Sequence, residues 1–155
     1  MNDNRIAKAE MMIRKPVNEV FEAIINPEIT TKFWFTNSTG KLEEGKDVEW
    51  TWEMYNVTVP VAVKTLVHNE RIVLEWGNKQ HQSTVEFTFK ALSDSKTYLT
   101  VKNYDFNNSG DELVNLVIDS TGGFALIIAG LKAYLEHNIQ LNLVADKFPK
   151  ELMEA

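Results

Sequence analysis

Apolar and polar positions in the first third of the chain predict one strand followed by two short helices. Apolar side chains share one face of an extended segment at residues 9–13, as in a half-buried strand. Pro16 suits the start of a helix, and apolar residues at spacings of three and four continue it through residues 17–24. The same start signal returns at residues 26–27, so we expect a second short helix that ends near Trp34.

The middle of the chain predicts five more strands. Apolar and polar residues alternate in residues 48–54, 57–67, 72–76, 85–89 and 99–102. Pro60 interrupts the second of these segments, which favours an edge position or a bulge because proline cannot donate to a strand ladder. Turn-rich segments separate the strands, and residues 36–40 form another turn. The strands are therefore expected to follow one another as a meander of hairpins.

The last third of the chain changes to a helical period. A short apolar stripe covers residues 113–117, and a longer one covers residues 124–135. The segment 120–123, which contains two adjacent glycines, is expected to separate or kink these two stretches. The second stretch is expected to end at Asn138 or in the segment up to Pro149.

This order of elements predicts an α+β fold of the helix-grip type. A sheet and a terminal helix must each bury one face, and a six-stranded, curved antiparallel sheet wrapped around a long C-terminal helix achieves this. The two short helices then lie after the first strand. Because a curved sheet and a straight helix match poorly, we expect an apolar cavity between them. A length of 155 residues predicts one domain, 1–155.

Composition narrows the classes of partner. The chain has 16 Lys and Arg against 22 Asp and Glu, a net charge of -6, which disfavours binding to nucleic acid. Its longest strongly apolar stretch, residues 124–131, is far shorter than the roughly 20 residues needed to cross a bilayer. The first ten residues lack the apolar core of a signal peptide. With no cysteine, disulfides and thiolate chemistry are excluded, and the expected location is the cytoplasm.

The residues that could act in catalysis or bind a metal do not form a known sequence motif. His68, His81 and His137 fall in two turns and a terminal helix, without metal-ligand spacing, so no metal or other cofactor is expected. No nucleophile motif surrounds any serine. Gly122 and Gly123 lack a phosphate-binding pattern, and close helix packing or a kink is their expected role. The alternation of the strands directs four carboxylates to solvent: Glu49, Glu53, Glu75 and Glu86.

Aromatic and apolar side chains offer the best candidate site. Any one of them can be an ordinary core residue, but as a group they suggest the wall of a small-molecule cavity. Gly130, in mid-helix, could bring the helix against a strand or leave room for a ligand. The candidate ligand-binding residues are Trp34, Trp50, Trp52, Met54, Val61, Trp76, Phe87, Phe89, Phe124, Ile127, Ile128 and Leu131.

Three segments carry a resemblance to a known family. They are IRKPVNEVFEAIINPEITTKFWF (residues 13–35), ERIVLEW (residues 70–76) and GGFALIIAGLKAYLEH (residues 122–137). In this order they resemble the START-like (SRPBCC) superfamily, in the branch related to the C-terminal domain of the heat-shock chaperone ATPase activator. The resemblance implies the helix-grip fold. The family that the chain resembles includes carriers of apolar ligands, polyketide cyclase-like enzymes and the chaperone activator. The resemblance therefore leaves several functions open, because one fold can serve many functions.

Three functions follow as hypotheses. The leading one is binding of a small apolar or aromatic molecule between sheet and C-terminal helix, without demonstrable catalysis. The second is a polyketide cyclase-like enzyme that positions its substrate with Tyr55, Asn103 or Tyr104. The third is a chaperone-associated or other protein-binding module, with a homodimer as one form of partner.

Overall fold

An open antiparallel sheet of seven strands forms the frame of the protein. The structure is a computed structural model that describes residues 5–78 and 80–153. The strands are β1 (Ala7–Ile13), β2 (Asn37–Ser38), β3 (Asp47–Trp52), β4 (Val57–Val67), β5 (Arg71–Trp76), β6 (Ser83–Ser93) and β7 (Lys96–Tyr104). Their order is β1-β7-β6-β5-β4-β3-β2. The predicted meander is confirmed, and the isolated first strand pairs with the last one.

The sheet differs from the prediction at the β2–β3 edge. The seventh strand, β2, lies in the segment expected to be a turn, where Asn37 and Ser38 pair with Thr51 and Trp50 of β3. At its other end β3 stops at Trp52, and the chain enters a single 3-10 turn, Glu53–Tyr55, instead of continuing to residue 54. Asn56, with a positive φ of 52°, then reverses the chain into β4, a backbone conformation that asparagine tolerates better than most residues.

Five helices accompany the sheet in the described residues. They are α1 (Val17–Ile25), α2 (Pro27–Thr30), α3 (Gly110–His137), α4 (Leu143–Lys147) and α5 (Lys150–Met153). The predicted cap of the second helix is confirmed, since Asn26 Oδ1 accepts a hydrogen bond from the Glu28 N–H at 3.1 Å. The expected separation of α3 at residues 120–123 is wrong, because α3 is one helix of 28 residues. It ends at Asn138, and the sequence pattern did not predict α4 or α5.

The core lies between the inner face of the sheet and two helices, α1 and the second half of α3. On α3, Phe124, Ile128 and Leu131 are at most 4% exposed, whereas most of the residues of its first half are exposed. Gly130 explains how the second half comes so close. A Cβ at this position would lie 3.2 Å from the Cβ of Phe33, so the glycine brings α3 against the segment that follows α2.

Two charged side chains join the end of α3 to β1. The Lys132 ammonium donates to the Met12 carbonyl at 2.9 Å and to Glu136 Oε2 at 2.6 Å. The same carboxylate accepts from the Arg14 N–H at 2.9 Å. Burial alone would raise the pKa of Glu136, but these two donors together hold it below its ordinary value. The ionised carboxylate therefore stabilises the docking of α3.

By length and composition, α3 is apolar enough to cross a membrane, with a mean hydropathy of 1.7 over its most apolar 18 residues. Its apolar residues have another role here. The second half of the helix buries Phe124, Ile127, Ile128 and Leu131 against the sheet, although only 28% of the 18-residue window is buried. The second half of the helix is therefore part of the core of the domain.

Candidate functional site

Packed aromatic rings occupy much of the space between the sheet and α3. Trp34, which is 5% exposed, has ring-centroid distances of 4.8 to 6.2 Å to five other rings. The five are Phe35, Trp50, Trp76, Phe87 and Phe124. Such edge-to-face and tilted contacts are the arrangement that aromatic side chains prefer in a core. Space for a ligand must therefore lie beside this aromatic cluster.

A pocket of about 460 Å³ opens between the first half of α3 and the adjoining ends of the sheet. We call it the Asn103 pocket. Its walls are mainly apolar, and its volume lies within the usual range of small-molecule sites. The lining residues are Trp52, Val59, Trp76, Gly77, His81, Gln82, Ser83, Asn103, Phe106, Asn108, Leu116, Asp119, Ser120, Gly123, Phe124 and Ile127.

A chain of hydrogen bonds centred on the buried Asn103 crosses one wall of the Asn103 pocket. Asn103, 2% exposed, donates through Nδ2 to Ser83 Oγ at 2.9 Å and to the Thr84 carbonyl at 2.7 Å. Its Oδ1 accepts from Ser120 Oγ at 2.8 Å, and the Trp76 indole N–H donates to Ser83 Oγ at 3.2 Å. These bonds join three strands to α3 at the pocket. They fix a small number of polar groups within an apolar surface.

A second, larger cavity continues along α3. We call it the Tyr55 groove; it measures about 920 Å³ and shares Trp52, Asp119, Gly123 and Ile127 with the Asn103 pocket. The two cavities are therefore adjacent, and together we call them the cleft. Exposed side chains border the groove, so it is open to solvent. Its lining residues are Trp34, Trp52, Tyr55, Val57, Ile118, Asp119, Gly122, Gly123, Leu126, Ile127, Val144, Lys147, Phe148 and Met153.

Tyr55 fixes the C-terminal segment at the edge of this groove. Its hydroxyl lies 2.6 Å from the Phe148 carbonyl and 3.3 Å from the Val144 carbonyl, and donates to them. Burial raises the pKa of Tyr55, and the negative charge of Asp146 raises it further. The hydroxyl therefore stays protonated and holds α4 and the residues after it against the 3-10 turn.

The structure divides the predicted ligand-binding residues into three groups. Five line the cleft: Trp34, Trp52, Trp76, Phe124 and Ile127. Six are packed in the core at 5% exposure or less: Trp50, Val61, Phe87, Phe89, Ile128 and Leu131. The remaining one, Met54, is half-buried in the 3-10 turn instead of lying on the predicted strand.

Tyr104, one of the three polar side chains suggested for an enzyme, lies on the outer face of the sheet and not in the cleft. Its hydroxyl donates to Glu86 Oε1 at 2.8 Å, and Glu86 also accepts from Arg71 Nε at 2.8 Å. Burial and the Glu86 carboxylate raise the pKa of Tyr104 to about 12. Burial opposes ionisation of Glu86, but Arg71 and Tyr104 keep its pKa below the ordinary value. This cluster is structural and belongs to the outer face, as predicted for Glu86.

Sequence reasoning missed Ser83 and Ser120 as residues of the Asn103 pocket. A usable signal was present for Ser83, because inward positions alternate along β6 from Ser83 through Val85 to Phe87. The predicted strand began two residues too late to include it. Ser120 carries no comparable signal, since it lies on the half of α3 that has no continuous apolar stripe.

The adjacent glycines of α3 border open space. A Cβ added at Gly122 or Gly123 would meet no atom within 4 Å. The prediction that these two glycines allow close helix packing is therefore wrong. Both glycines line the Tyr55 groove, and Gly123 also lines the Asn103 pocket. His68 and His81 lie in turns and His137 ends α3, as predicted. Among the residues that the structure describes, no three potential metal ligands of the His, Asp and Glu types come together.

An open antiparallel sheet, two short helices after its first strand and a long C-terminal helix define the helix-grip fold of the START-like (SRPBCC) superfamily. Sequence comparison agrees with this class. The chain belongs to the family described as Activator of Hsp90 ATPase homolog 1-like protein, whose sequence profile matches residues 14–136. No curated protein shows significant sequence similarity to the chain.

Solved structures support the same fold. The protein SSP2350 from Staphylococcus saprophyticus is 26% identical, with a TM-score of 0.76 over 88% of this chain and 96% of that one. DynU16, from the dynemicin biosynthetic locus, is 18% identical, with a TM-score of 0.75 over 87% of this chain and 48% of that one. The Aha1 dimer from Colwellia psychrerythraea is 12% identical, with a TM-score of 0.72 over 86% of this chain and 97% of that one.

Proposed function

We propose that this protein binds a small apolar or aromatic molecule in the cleft formed by the Asn103 pocket and the Tyr55 groove. The observation that carries the proposal is the hydrogen-bond chain of the buried Asn103 side chain in the wall of an otherwise apolar pocket. An apolar cavity with a few fixed polar groups is the usual form of a small-molecule site. The cytoplasm is the proposed location, because a chain without cysteine has no need of an oxidising compartment.

The three polar side chains that the polyketide cyclase-like alternative would use, Tyr55, Asn103 and Tyr104, do not support it. A cyclase needs groups in the cleft that can transfer protons or stabilise a developing negative charge. Tyr104, whose pKa is raised most, lies on the outer face of the sheet, and Tyr55 donates its proton to backbone carbonyls. Asn103 does reach the pocket, but a carboxamide positions and does not titrate. A homodimer or a chaperone partner stays a prediction.

Gly123 offers a direct test of the proposed cleft. A leucine at this position would project into the open space that both cavities share, and it would improve helix propensity by about 1 kcal/mol. The matched control is Ala125→Leu, an exposed position of the same helix that lines neither cavity. The neutral dye Nile red, whose fluorescence rises in apolar surroundings, is the probe.

We expect Nile red to bind the unaltered protein and Ala125→Leu with similar affinity, and to bind Gly123→Leu much more weakly. Circular dichroism and thermal unfolding confirm that both variants fold. If the dye does not bind the unaltered protein, or binds Gly123→Leu as well as the control, the cleft is not the ligand site.

A further inference from the structure

Ser83 has a hydrogen-bond donor that its two side-chain partners do not use. The indole N–H of Trp76 and the amide Nδ2 of Asn103 both approach Ser83 Oγ, at 3.2 Å and 2.9 Å. Each of these partners can only donate. A hydroxyl oxygen has two acceptor lone pairs and one O–H, so these two bonds occupy both lone pairs. The Ser83 proton must then point in the remaining direction around the oxygen.

The position of Ser83 makes that donor useful to a ligand. Ser83 is 7% exposed and lines the Asn103 pocket. Its rotation is restricted, because turning the hydroxyl toward either neighbour would break a bond that the neighbour now donates. A buried donor gains most from an acceptor that reaches it. The Ser83 donor is therefore available to an acceptor on a molecule that enters the pocket.

The rest of the lining defines the kind of molecule that carries the acceptor. Four aromatic rings, those of Trp52, Trp76, Phe106 and Phe124, suit a flat aromatic body. The carboxylate of Asp119 also lines the pocket, and it disfavours an anionic ligand by like-charge repulsion. An uncharged acceptor such as a ketone, ester or amide carbonyl meets both conditions.

We propose that the Asn103 pocket selects an uncharged aromatic ligand with a carbonyl oxygen, and that the Ser83 hydroxyl donates to that oxygen. This inference rests on the ligand-binding function proposed above and adds to it the chemical class of the ligand. Ser83 acts as a specificity-determining residue, and Asn103 and Trp76 act as positioning residues that orient its proton.

Two probes of almost identical shape test the donor. 2-Acetylnaphthalene carries a carbonyl, and 2-isopropenylnaphthalene has a CH₂ group in place of the oxygen. The affinities of both are measured by equilibrium dialysis for the unaltered protein and for Ser83→Cys under reducing conditions. The cysteine keeps the approximate size of the side chain and a weak acceptor for Trp76 and Asn103, but its S–H is a poor donor. Ser95→Cys, in an exposed turn, is the control.

We expect the ratio of the two affinities, ketone over alkene, to fall about fivefold in Ser83→Cys, from the loss of one net hydrogen bond. The ratio should not change in Ser95→Cys, and 2-naphthoate should bind more weakly than the ketone. An unchanged ratio in Ser83→Cys, or tighter binding of naphthoate, overturns the inference while the pocket still binds apolar molecules. Failure of both neutral probes to bind overturns the proposed function itself.

Discussion

Two glycines of α3 with opposite surroundings give a sharp test of how this helix packs. A Cβ at Gly122 would meet no atom within 4 Å, whereas a Cβ at Gly130 would lie 3.2 Å from Phe33 Cβ and 3.5 Å from the Phe33 carbonyl oxygen. Both lie in the interior of α3, where alanine gains about 1 kcal/mol over glycine in helix propensity. Nothing opposes that gain at Gly122. We therefore expect Gly122→Ala to raise the free energy of unfolding by about 0.5–1 kcal/mol.

The same substitution at Gly130 should lose that advantage. Carbon atoms attract best at about 3.5–4.0 Å, so the new methyl group would press on Phe33 Cβ. That atom is attached directly to the backbone, and relief requires α3 or the segment after α2 to move. Overpacking of this kind typically costs about 1–3 kcal/mol. The expected result for Gly130→Ala is a free energy of unfolding that is unchanged or lower by up to about 2 kcal/mol, from the difference of these two effects.

Urea unfolding followed by tryptophan fluorescence measures both variants against the unaltered protein. Thermal unfolding gives a second reading, since about 1 kcal/mol corresponds to a shift of about 2–4 °C in Tm for a chain of this length. Gly122→Ala serves as the matched control for Gly130→Ala, because the chemical change is the same. Equal stabilisation of the two variants would refute the close contact with Phe33.

Two further predictions concern ionisable side chains. Glu136→Gln should lower the free energy of unfolding at pH 7 by about 1–2 kcal/mol, since it weakens two charge-assisted hydrogen bonds. Because the folded-state pKa of Glu136 is depressed, its contribution is complete above the ordinary value of 4.5 and is lost as pH falls through the folded pKa; a difference from Glu136→Gln that persists at pH 2 would contradict this. Tyr104, with its raised pKa, should ionise near pH 12, and its stabilising effect is complete below its ordinary value of 10.0 and is lost as pH rises toward 12. Ultraviolet titration should show a step near pH 12 that is lost in Tyr104→Phe, whereas Tyr55, whose pKa is also raised, still titrates in that variant; persistence of the step near pH 12 would rule out the assignment.

The sequence predicted the fold better than the site, for reasons that individual residues show. Alternation of apolar residues is a strong signal, and it located all of the long strands. The pairing of β1 with β7 has no local signal, because it joins residues about 90 positions apart. β2 has only two residues, and α4 and α5 have five and four, too few to show a period.

The residues of the candidate site were harder to predict, because the sequence pattern does not distinguish an aromatic ring that lines a cavity from one that fills the core. Trp50 and Trp52 lie two positions apart on the same strand face, yet Trp50 is 1% exposed within the aromatic cluster while Trp52 borders the cleft. The pattern of the strand is the same for both. What separates them is the position of Trp34, which comes from a distant segment and covers Trp50. Asn103 and Tyr104 are a contrasting case, since the alternation of β7 does place the first inward and the second outward.

The two halves of α3 show why the cleft is the place to look for function. The second half buries its apolar residues, and Gly130 has a packing partner that accounts for it. Gly122 and Gly123 have none, although together they cost about 2 kcal/mol of helix propensity relative to alanine. If the open space beside them serves a ligand, stability and binding must oppose each other there. Gly123→Leu should then make the protein more stable and a poorer binder at once, a combination that a purely structural role for the glycine would not produce.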